Sequence, residues 1–330
     1  MATAAGVSMS TVSNVLNKPA VVTLDTRRRV EAAMATIGYV RNGAARQLRG
    51  APAITVGCVV LDSANPFFAE IGRGMQDRLT EAGCMLVVCS TDVQSERETG
   101  YLDMLEELGV RGILLSPESA RLDAAAAVSR RGTPVVLVDH TGPGTVLCAV
   151  TVDDVRGGEL AVEHLLELGH RRIALLEPEA DVPSVLRRVS GVCRAVTSAG
   201  LSLSAALMRV PLAPPASVND AQAAMTDVLA ARPRPTAVVC FNDMAAIGVM
   251  RGLRLAGVTV PGQMSVVGYD DVVFASELSP PLTTIRQPTY RVGWAAAELL
   301  LTEGLAGHRH REVRFIPDLV VRGSTAPAYR

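Results

Sequence analysis

Carboxylates and amides recur in this chain at one kind of place. Asp62 and Asn65, Asp92, Ser116, Asp139, Asn242 and Asp243, and Asp270 and Asp271 each stand just after a short, largely apolar run. Strands buried on both faces read as such runs. These polar groups therefore fall at carboxyl ends of strands, and in open α/β sheets ligands lie beyond those ends. Turn chemistry accounts for some of the Asp and Asn residues, but less readily for a whole row of them. The row suits a ligand rich in hydroxyl or N–H groups. Aromatic residues make up only 3% of the chain, which leaves few stacking platforms. A sugar is favoured over a purine or a phosphorylated metabolite.

The signatures of catalysis are missing. There is no GxSxG, HExxH or GxxxxGK[ST] pattern, and no GxGxxG after the first strand. Of five histidines, His164 and His170 belong to a helix and its end, and His308 and His310 to a charged loop. Only His140, next to Asp139, falls near the expected cleft, as a ligand contact or a plain loop residue. Cys58, Cys89 and Cys240 sit in apolar runs, while Cys84, Cys148 and Cys193 show no CxxC or His-linked spacing. Six buried, reduced thiols are expected, with no metal, no cofactor and no enzymatic role.

The elements that position the row alternate. Strands are expected at Ile54–Leu61, Met85–Ser90, Gly112–Ser116, Val135–Asp139, Arg172–Leu176, Ala237–Phe241 and Ser265–Tyr269. Helices are expected at Phe67–Ala82, Arg97–Leu108 and Gly157–Leu168. The class is α/β, with too many units for one sheet, so two lobes of doubly wound parallel sheet follow. At 330 residues, 48% apolar and 20% charged, the chain has ample material for such a core. No apolar run approaches the roughly 18 residues of a membrane helix, and no secretory signal opens the chain. A cytoplasmic protein is expected.

The first fifty residues differ in charge. They carry seven basic side chains against Asp25 and Glu31, a balance of +5, whereas the rest holds 25 basic against 31 acidic. A basic head on an acidic body suggests a polyanionic partner. Ala4-Ala5-Gly6-Val7-Ser8 reads as a helix end, a glycine turn and a new N-cap, followed by a helix with Val12, Val15 and Leu16 on its apolar face. Thr23 caps a third helix carrying Val30, Ala33, Met34 and Ile37, which Gly38 ends. Two helices across a tight glycine turn, the second polar at its start, are the parts of a helix-turn-helix. A generic three-helix bundle would share this pattern.

Residues 5–17, AGVSMSTVSNVLN, resemble the DNA-binding signature of the lactose/galactose repressor family, and residues 38–49 resemble its hinge. The resemblance implies a DNA-facing set of Ser8, Met9, Ser10, Thr11, Ser13, Asn14 and Asn17. It adds Arg46 and Leu48 of a hinge helix, with Leu48 wedging into the minor groove. Three features depart from the family pattern: a first helix clipped to residues 2–5 (with the true start expected upstream), Asn14 for a basic residue, and Arg41 for a proline.

The likeness continues through Ser63–Phe68, Leu165–Ala174, Phe241–Ala246, Val267–Asp271 and Pro280–Pro288. It implies ligand contacts at Phe67, Phe68, Arg188, Asn242 and Asp270, which with Asn65, Ser116 and Asp139 of the strand-end row make up the expected ligand set. It also implies a periplasmic-binding-protein-like body, and a homodimeric repressor on double-stranded operator DNA whose affinity a small-molecule effector controls, without membrane contact. The corresponding organisation is a head at 1–40, a hinge and linker at 41–52, and an effector-binding and dimerisation domain at 53–330. Its first lobe takes about 53–151 and 288–311, its second 152–287 and 312–330. The rival readings are a pure sugar-binding module, and a family member whose clipped first helix has cost it DNA binding.

Overall fold

The computed structural model describes residues 1–39, 50, 52–140, 147–214, 216–303, 305 and 307–328. The chain forms two compact units, Met1–Pro52 and Ala53–Arg330. In the first, α1 (Ala2–Ala5) ends at Gly6, which takes the left-handed conformation at φ 61°. Ser8 then caps α2 (Met9–Asn17), accepting the Thr11 N–H at 3.1 Å, and Thr23 caps α3 (Leu24–Thr36). Val12, Val15, Val30, Ala33 and Ala5 form a small core. Arg29 of α3 donates to the carbonyls of Ala5 at 2.7 Å and Gly6 at 3.0 Å, fixing the turn between the first two helices. Ile37, expected on the apolar face of the third helix, lies just past its end and is exposed.

The second unit holds two six-stranded sheets. The first is built from β1 (Thr55–Val60), β2 (Met85–Ser90), β3 (Ile113–Leu115), β4 (Val135–Val138), β5 (Cys148–Val152) and β11 (Glu312–Phe315), in the order β11-β5-β4-β3-β1-β2. The second contains β6 (Ile173–Pro178), β7 (Leu207–Leu212), β8 (Ala237–Cys240), β9 (Ser265–Asp270), β10 (Thr283–Arg286) and β12 (Asp318–Val320), in the order β12-β10-β9-β8-β6-β7. Every pairing is parallel except β10 with β12. The strands named from alternation all form, mostly within a residue or two of their expected bounds.

Around the first sheet lie α4 (Pro66–Glu81), α5 (Ser95–Glu107), α6 (Asp123–Arg130) and α12 (Thr289–Glu303). Around the second lie α7 (Asp154–Glu167), α8 (Pro183–Ser198), the short α9 (Leu203–Ala206), α10 (Val218–Ala230) and α11 (Asp243–Leu255). The chain crosses between lobes three times: after β5, after β10 and after β11. The expected boundary at residue 312 is corrected by this last crossing. Glu312–Phe315 pairs in parallel with Ala149–Val152 and belongs to the first lobe, so the return to the second lobe falls between Phe315 and Asp318. An edge strand of four residues carries too little pattern to announce which sheet it joins.

Both lobes contain helices packed backbone to backbone, the second also at Gly248 of α11, where a Cβ would stand 2.2 Å from the Val218 carbonyl oxygen of α10. In the first, a Cβ on Gly293 of α12 would stand 1.9 Å from the Ile71 carbonyl oxygen of α4, and one on Gly74 of α4 would stand 2.1 Å from that of Tyr290. In the second, a Cβ on Gly158 of α7 would meet the Arg188 carbonyl oxygen of α8 at 2.1 Å, and one on Gly191 would meet that of Val155 at 2.0 Å. Only glycine allows any of these approaches. Among the described residues, no helix is long and apolar enough to cross a membrane.

Candidate functional site

The carboxyl ends of both sheets face one cavity of about 700 Å³, a size that suits a small organic ligand. From the first lobe it is lined by Asn65, Phe67, Phe68, Asp92, Val93, Gln94 and Asp139. The second lobe contributes Val182, Ser184, Val185, Arg188, Phe241, Asn242 and Asp270, among others. Phe67 and Phe68 open α4, edge to face with ring centres 5.0 Å apart. Asn65 and Asn242 cap α4 and α11, accepting the N–H groups of Phe67 at 3.0 Å and Ala245 at 2.8 Å.

Backbone strain gathers at the same place. Among the described residues, the non-glycine residues with positive φ are Asp92, Val93, Asp139, Ala216, Asp270 and Asp271. All but Asp271 line the cavity. Such conformations cost on the order of 1–3 kcal/mol each and persist where surrounding structure over-determines them, as at ligand clamps. For β-branched Val93 the departure is greatest.

Behind the cavity lies a network of buried charges. Asp154, the first residue of α7, is fully buried. It accepts from Arg187 at 2.9 Å, from Arg188 Nε at 3.0 Å and from the Tyr269 hydroxyl at 3.3 Å. Gly157 makes room for that tyrosine, since a Cβ there would stand 2.1 Å from the hydroxyl. The Arg188 guanidinium lies over the Tyr269 ring, 3.8 Å from its centre. Its Nη1 donates to the Phe241 carbonyl at 2.8 Å and stands 3.8 Å from Asp270. Arg187 reaches across to the other lobe, donating to the Asp139 backbone carbonyl at 3.3 Å. Asp270 in turn accepts from Gln287 of the second crossover at 2.7 Å.

Burial pushes the Asp270 carboxyl well above the ordinary range, against the pull of Arg188. It raises Asp139 to about 6, helped by Asp154 and opposed by Arg188, Arg187 and Ser184. One Asp139 oxygen, Oδ1, is buried without a hydrogen-bond partner.

Two kinds of comparison bear on what this arrangement is. Residues 1–42 match the family model for bacterial regulatory proteins of the lacI family, and residues 162–325 match the periplasmic binding protein-like domain. An HTH-type transcriptional repressor PurR of Photobacterium profundum is 34% identical over 97% of this chain and 96% of its own length. The chain belongs to the LacI family. Two solved structures extend the likeness. The lac repressor dimer bound to operator and the anti-inducer ONPF superposes with a TM-score of 0.81, at 30% identity over 98% of this chain and 97% of that one. A LacI family transcriptional regulator from Enterococcus faecium with bound ribose superposes at 0.77, with 32% identity over 83% of this chain and all of that one. These relatives are transcriptional regulators, not enzymes, and a DNA-binding regulator of transcription is what the family model and the fold make of this chain.

In this LacI-family chain seven of the eight expected ligand residues meet in one cavity. Ser116 does not. It is buried at the end of β3, its N–H donating to the Val59 carbonyl at 2.8 Å, and it does not line the cavity. Asp243 and Asp271, in the same row, also turn away. Asp243 accepts from Thr284 at 2.6 Å and from the Val272 N–H at 2.9 Å, and Asp271 pairs with Arg286 and Arg322, each at 2.6 Å. Both brace loops. Burial, with Arg187 nearby, lowers His140 to about 4, and it too lies off the cavity.

Sequence reading missed Asp154, Gln287 and Val185. Asp154 follows the cap Asp153 and looks like an ordinary first-turn carboxylate, with nothing local to show that two arginines and a tyrosine close over it. Within the head, Ser8, Met9, Ser10, Asn14 and Asn17 are exposed, while Thr11 and Ser13 are half-buried. Ser8 and Thr11 share a 2.8 Å hydrogen bond, and Asn17 donates to the Ser13 carbonyl at 2.9 Å. Arg46 and Leu48 lie outside the described residues.

Asp139 gives the site a pH signature. Its folded-state value, about 6, lies above the ordinary 3.8. Its favourable contribution to stability is therefore present below pH 3.8 and lost as the pH rises through 6. Asp139→Asn is expected to raise the melting temperature at pH 8, by at most about 3 kcal/mol of stability, and to leave it unchanged near pH 4. Calorimetry at the two pH values checks this. Equal changes at both would remove the ionised carboxylate as the cause.

Proposed function

We propose that this chain is a sequence-specific repressor whose operator affinity is set by a sugar-class effector held between the two lobes. The convergence of Asp139, Arg188, Asn242 and Asp270 from both lobes on one cavity is the observation that carries the effector reading. Sugar hydroxyls donate to carboxylates and accept from arginine, and the apolar walls at Phe67, Phe68, Val185 and Phe241 suit the C–H faces of a pyranose or furanose ring. Ribose in the Enterococcus faecium relative supports that class. The effector acts on DNA only through its different affinities for two lobe arrangements.

The operator reading rests on the head. Its recognition helix presents Ser8, Met9, Ser10, Asn14 and Asn17 to solvent, short polar side chains of the kind that reach base edges in the major groove. A homodimer fits the exposed edge strand β2, where Met85, Val87 and Val88 are 59%, 42% and 49% exposed. An apolar sheet edge of this kind is a liability unless something covers it, and the lac repressor neighbour, itself a dimer, supports a second copy of this chain as the cover.

Fluorescence anisotropy with duplexes from the promoter beside its own gene tests the proposal, titrated with and without a panel of pentoses, hexoses and disaccharides. Nanomolar, steeply salt-dependent binding that one sugar shifts is the expected result. If no duplex is bound specifically, with or without sugars, the repressor reading falls and a ligand-binding module takes its place. If DNA binds but only non-sugar metabolites shift it, the sugar assignment falls. The Leu48 wedge, which rests on the family resemblance, has its own check. Leu48→Ala is expected to weaken operator binding far more than binding to random duplex, and equal losses on both would refute it.

A further inference from the structure

Four side chains converge at the end of the first sheet opposite the cavity. Cys148 is the first residue of β5, Glu303 is the last of α12, and His308 and His310 lie on the segment leading into β11. One ligand-type atom from each lies within 4.8 Å of all the others. The Cys148 sulfur is 3.2 Å from His308 Nε2 and 3.9 Å from His310 Nδ1, and each of those nitrogens is 2.9 Å from a Glu303 carboxylate oxygen.

A tetrahedral zinc ion, with bonds of about 2.3 Å to sulfur and about 2.0–2.1 Å to nitrogen and oxygen, sets its ligand atoms roughly 3.3–3.6 Å apart. The sulfur–nitrogen separations of 3.2 and 3.9 Å bracket that edge length, and the two 2.9 Å contacts reach one oxygen each of the Glu303 carboxylate. Each imidazole nitrogen carries at most one proton, and the carboxylate is the better acceptor for it. The Cys148 sulfur also meets the Arg311 backbone N–H and the Glu303 carboxylate, so thiol, carboxylate and both imidazoles crowd one point. One central cation would replace all of these contacts with four bonds.

We propose that Cys148, Glu303, His308 and His310 form a closed tetrahedral site for a divalent transition metal of the zinc class. Thiolate and imidazole donors select against magnesium and calcium, which take oxygen ligands. Four protein ligands leave no open position for a reacting group, so the ion is structural or regulatory. It ties the end of α12 and the following segment to the first residue of β5. This is the strand that β11 must pair with before the chain crosses back to the second lobe. Sequence spacing hides the site, because the cysteine and the nearer histidine are 160 residues apart.

The test uses the full chain stripped of metal by a chelator, then titrated with cobalt(II) and competed with zinc(II). One equivalent of cobalt is expected, with the intense visible bands of tetrahedral coordination and a thiolate-to-cobalt charge-transfer band, both abolished by zinc. Cys148→Ser should lose the charge-transfer band although five other cysteines remain. His310→Ala, at a side chain 41% exposed and tolerable to the fold, should weaken zinc binding by more than the roughly 10–100-fold that loss of an outer partner costs. One equivalent of zinc should raise the melting temperature of the parent chain and not that of His310→Ala. Pale octahedral bands, no thiolate band, or zinc affinity unchanged in His310→Ala would each overturn the site. The last measurement stands even if Cys148→Ser fails to fold.

Discussion

Arg188→Ala is expected to cost the two-lobed unit about 3–5 kcal/mol and to abolish its response to effector. Arg188 is 7% exposed and faces three buried carboxylates, of Asp154, Asp139 and Asp270. Removing one member of a buried ion pair leaves the others uncompensated in a medium that cannot solvate them, and this makes the loss large. In a domain of this size it appears as a fall in melting temperature of roughly 10 °C.

Arg188→Lys keeps a charge but not the planar fork that reaches Asp154 and the Phe241 carbonyl together. It should recover part of the stability and little of the effector response. Asp154→Asn supplies the second corner of a double-mutant cycle, with a coupling of about 1–3 kcal/mol between the two positions. Unchanged melting in Arg188→Ala would mean that Arg187 alone carries the charge on Asp154. An unchanged effector titration in a folded variant would remove Arg188 from the ligand site.

The second large effect concerns glycines. Gly158→Ala puts a methyl group 2.1 Å from the Arg188 carbonyl oxygen and 3.0 Å from the Val192 nitrogen, both backbone atoms of α8. Neither can rotate away, so the helices must part, at about 1–3 kcal/mol. The displaced helix carries Arg188 and the Ser184–Val185 wall of the cavity, so effector affinity should fall with stability. The first lobe supplies a matched control within one helix. Gly74→Ala meets the Tyr290 carbonyl oxygen at 2.1 Å and should destabilise, whereas Gly72→Ala meets nothing within 4 Å. Gly72→Ala should gain up to about 1 kcal/mol from the better helix propensity of alanine. Denaturant midpoints for the three variants decide the matter. The same sign for Gly72→Ala and Gly74→Ala would show that the close crossings do not constrain the lobes.

Where one physical cause dominates a stretch of chain, its fold is readable from the residues. Val56–Leu61 and Val135–Val138 are apolar throughout because helices cover both faces of their sheet, and their strand assignment follows directly. The polar residues after them mark the cavity for the same reason. Lobe membership of Glu312–Phe315 was not readable, because a short edge strand with charged residues carries almost no pattern. Ser116 shows the limit of the rule about strand ends: a small polar residue there can be satisfied inside the lobe without reaching the ligand. Asp154 shows the opposite limit. Its environment is assembled from Arg187, Arg188 and Tyr269, 33 to 115 residues away, and no local window holds that information.

The three crossings bear on the order in which the molecule is completed as it leaves the ribosome. The second lobe receives β6 to β10 in one unbroken stretch ending at Arg286 and afterwards lacks only the edge strand β12. The first lobe receives five strands by Val152, but its helix α12, packed backbone to backbone on α4, and its strand β11 come only after residue 288. Domains tend to fold as units once their parts are present. The lobe begun second is therefore the first with a nearly complete core, and the lobe begun first keeps one face of its sheet covered by α4 without α12 until almost the whole chain has emerged.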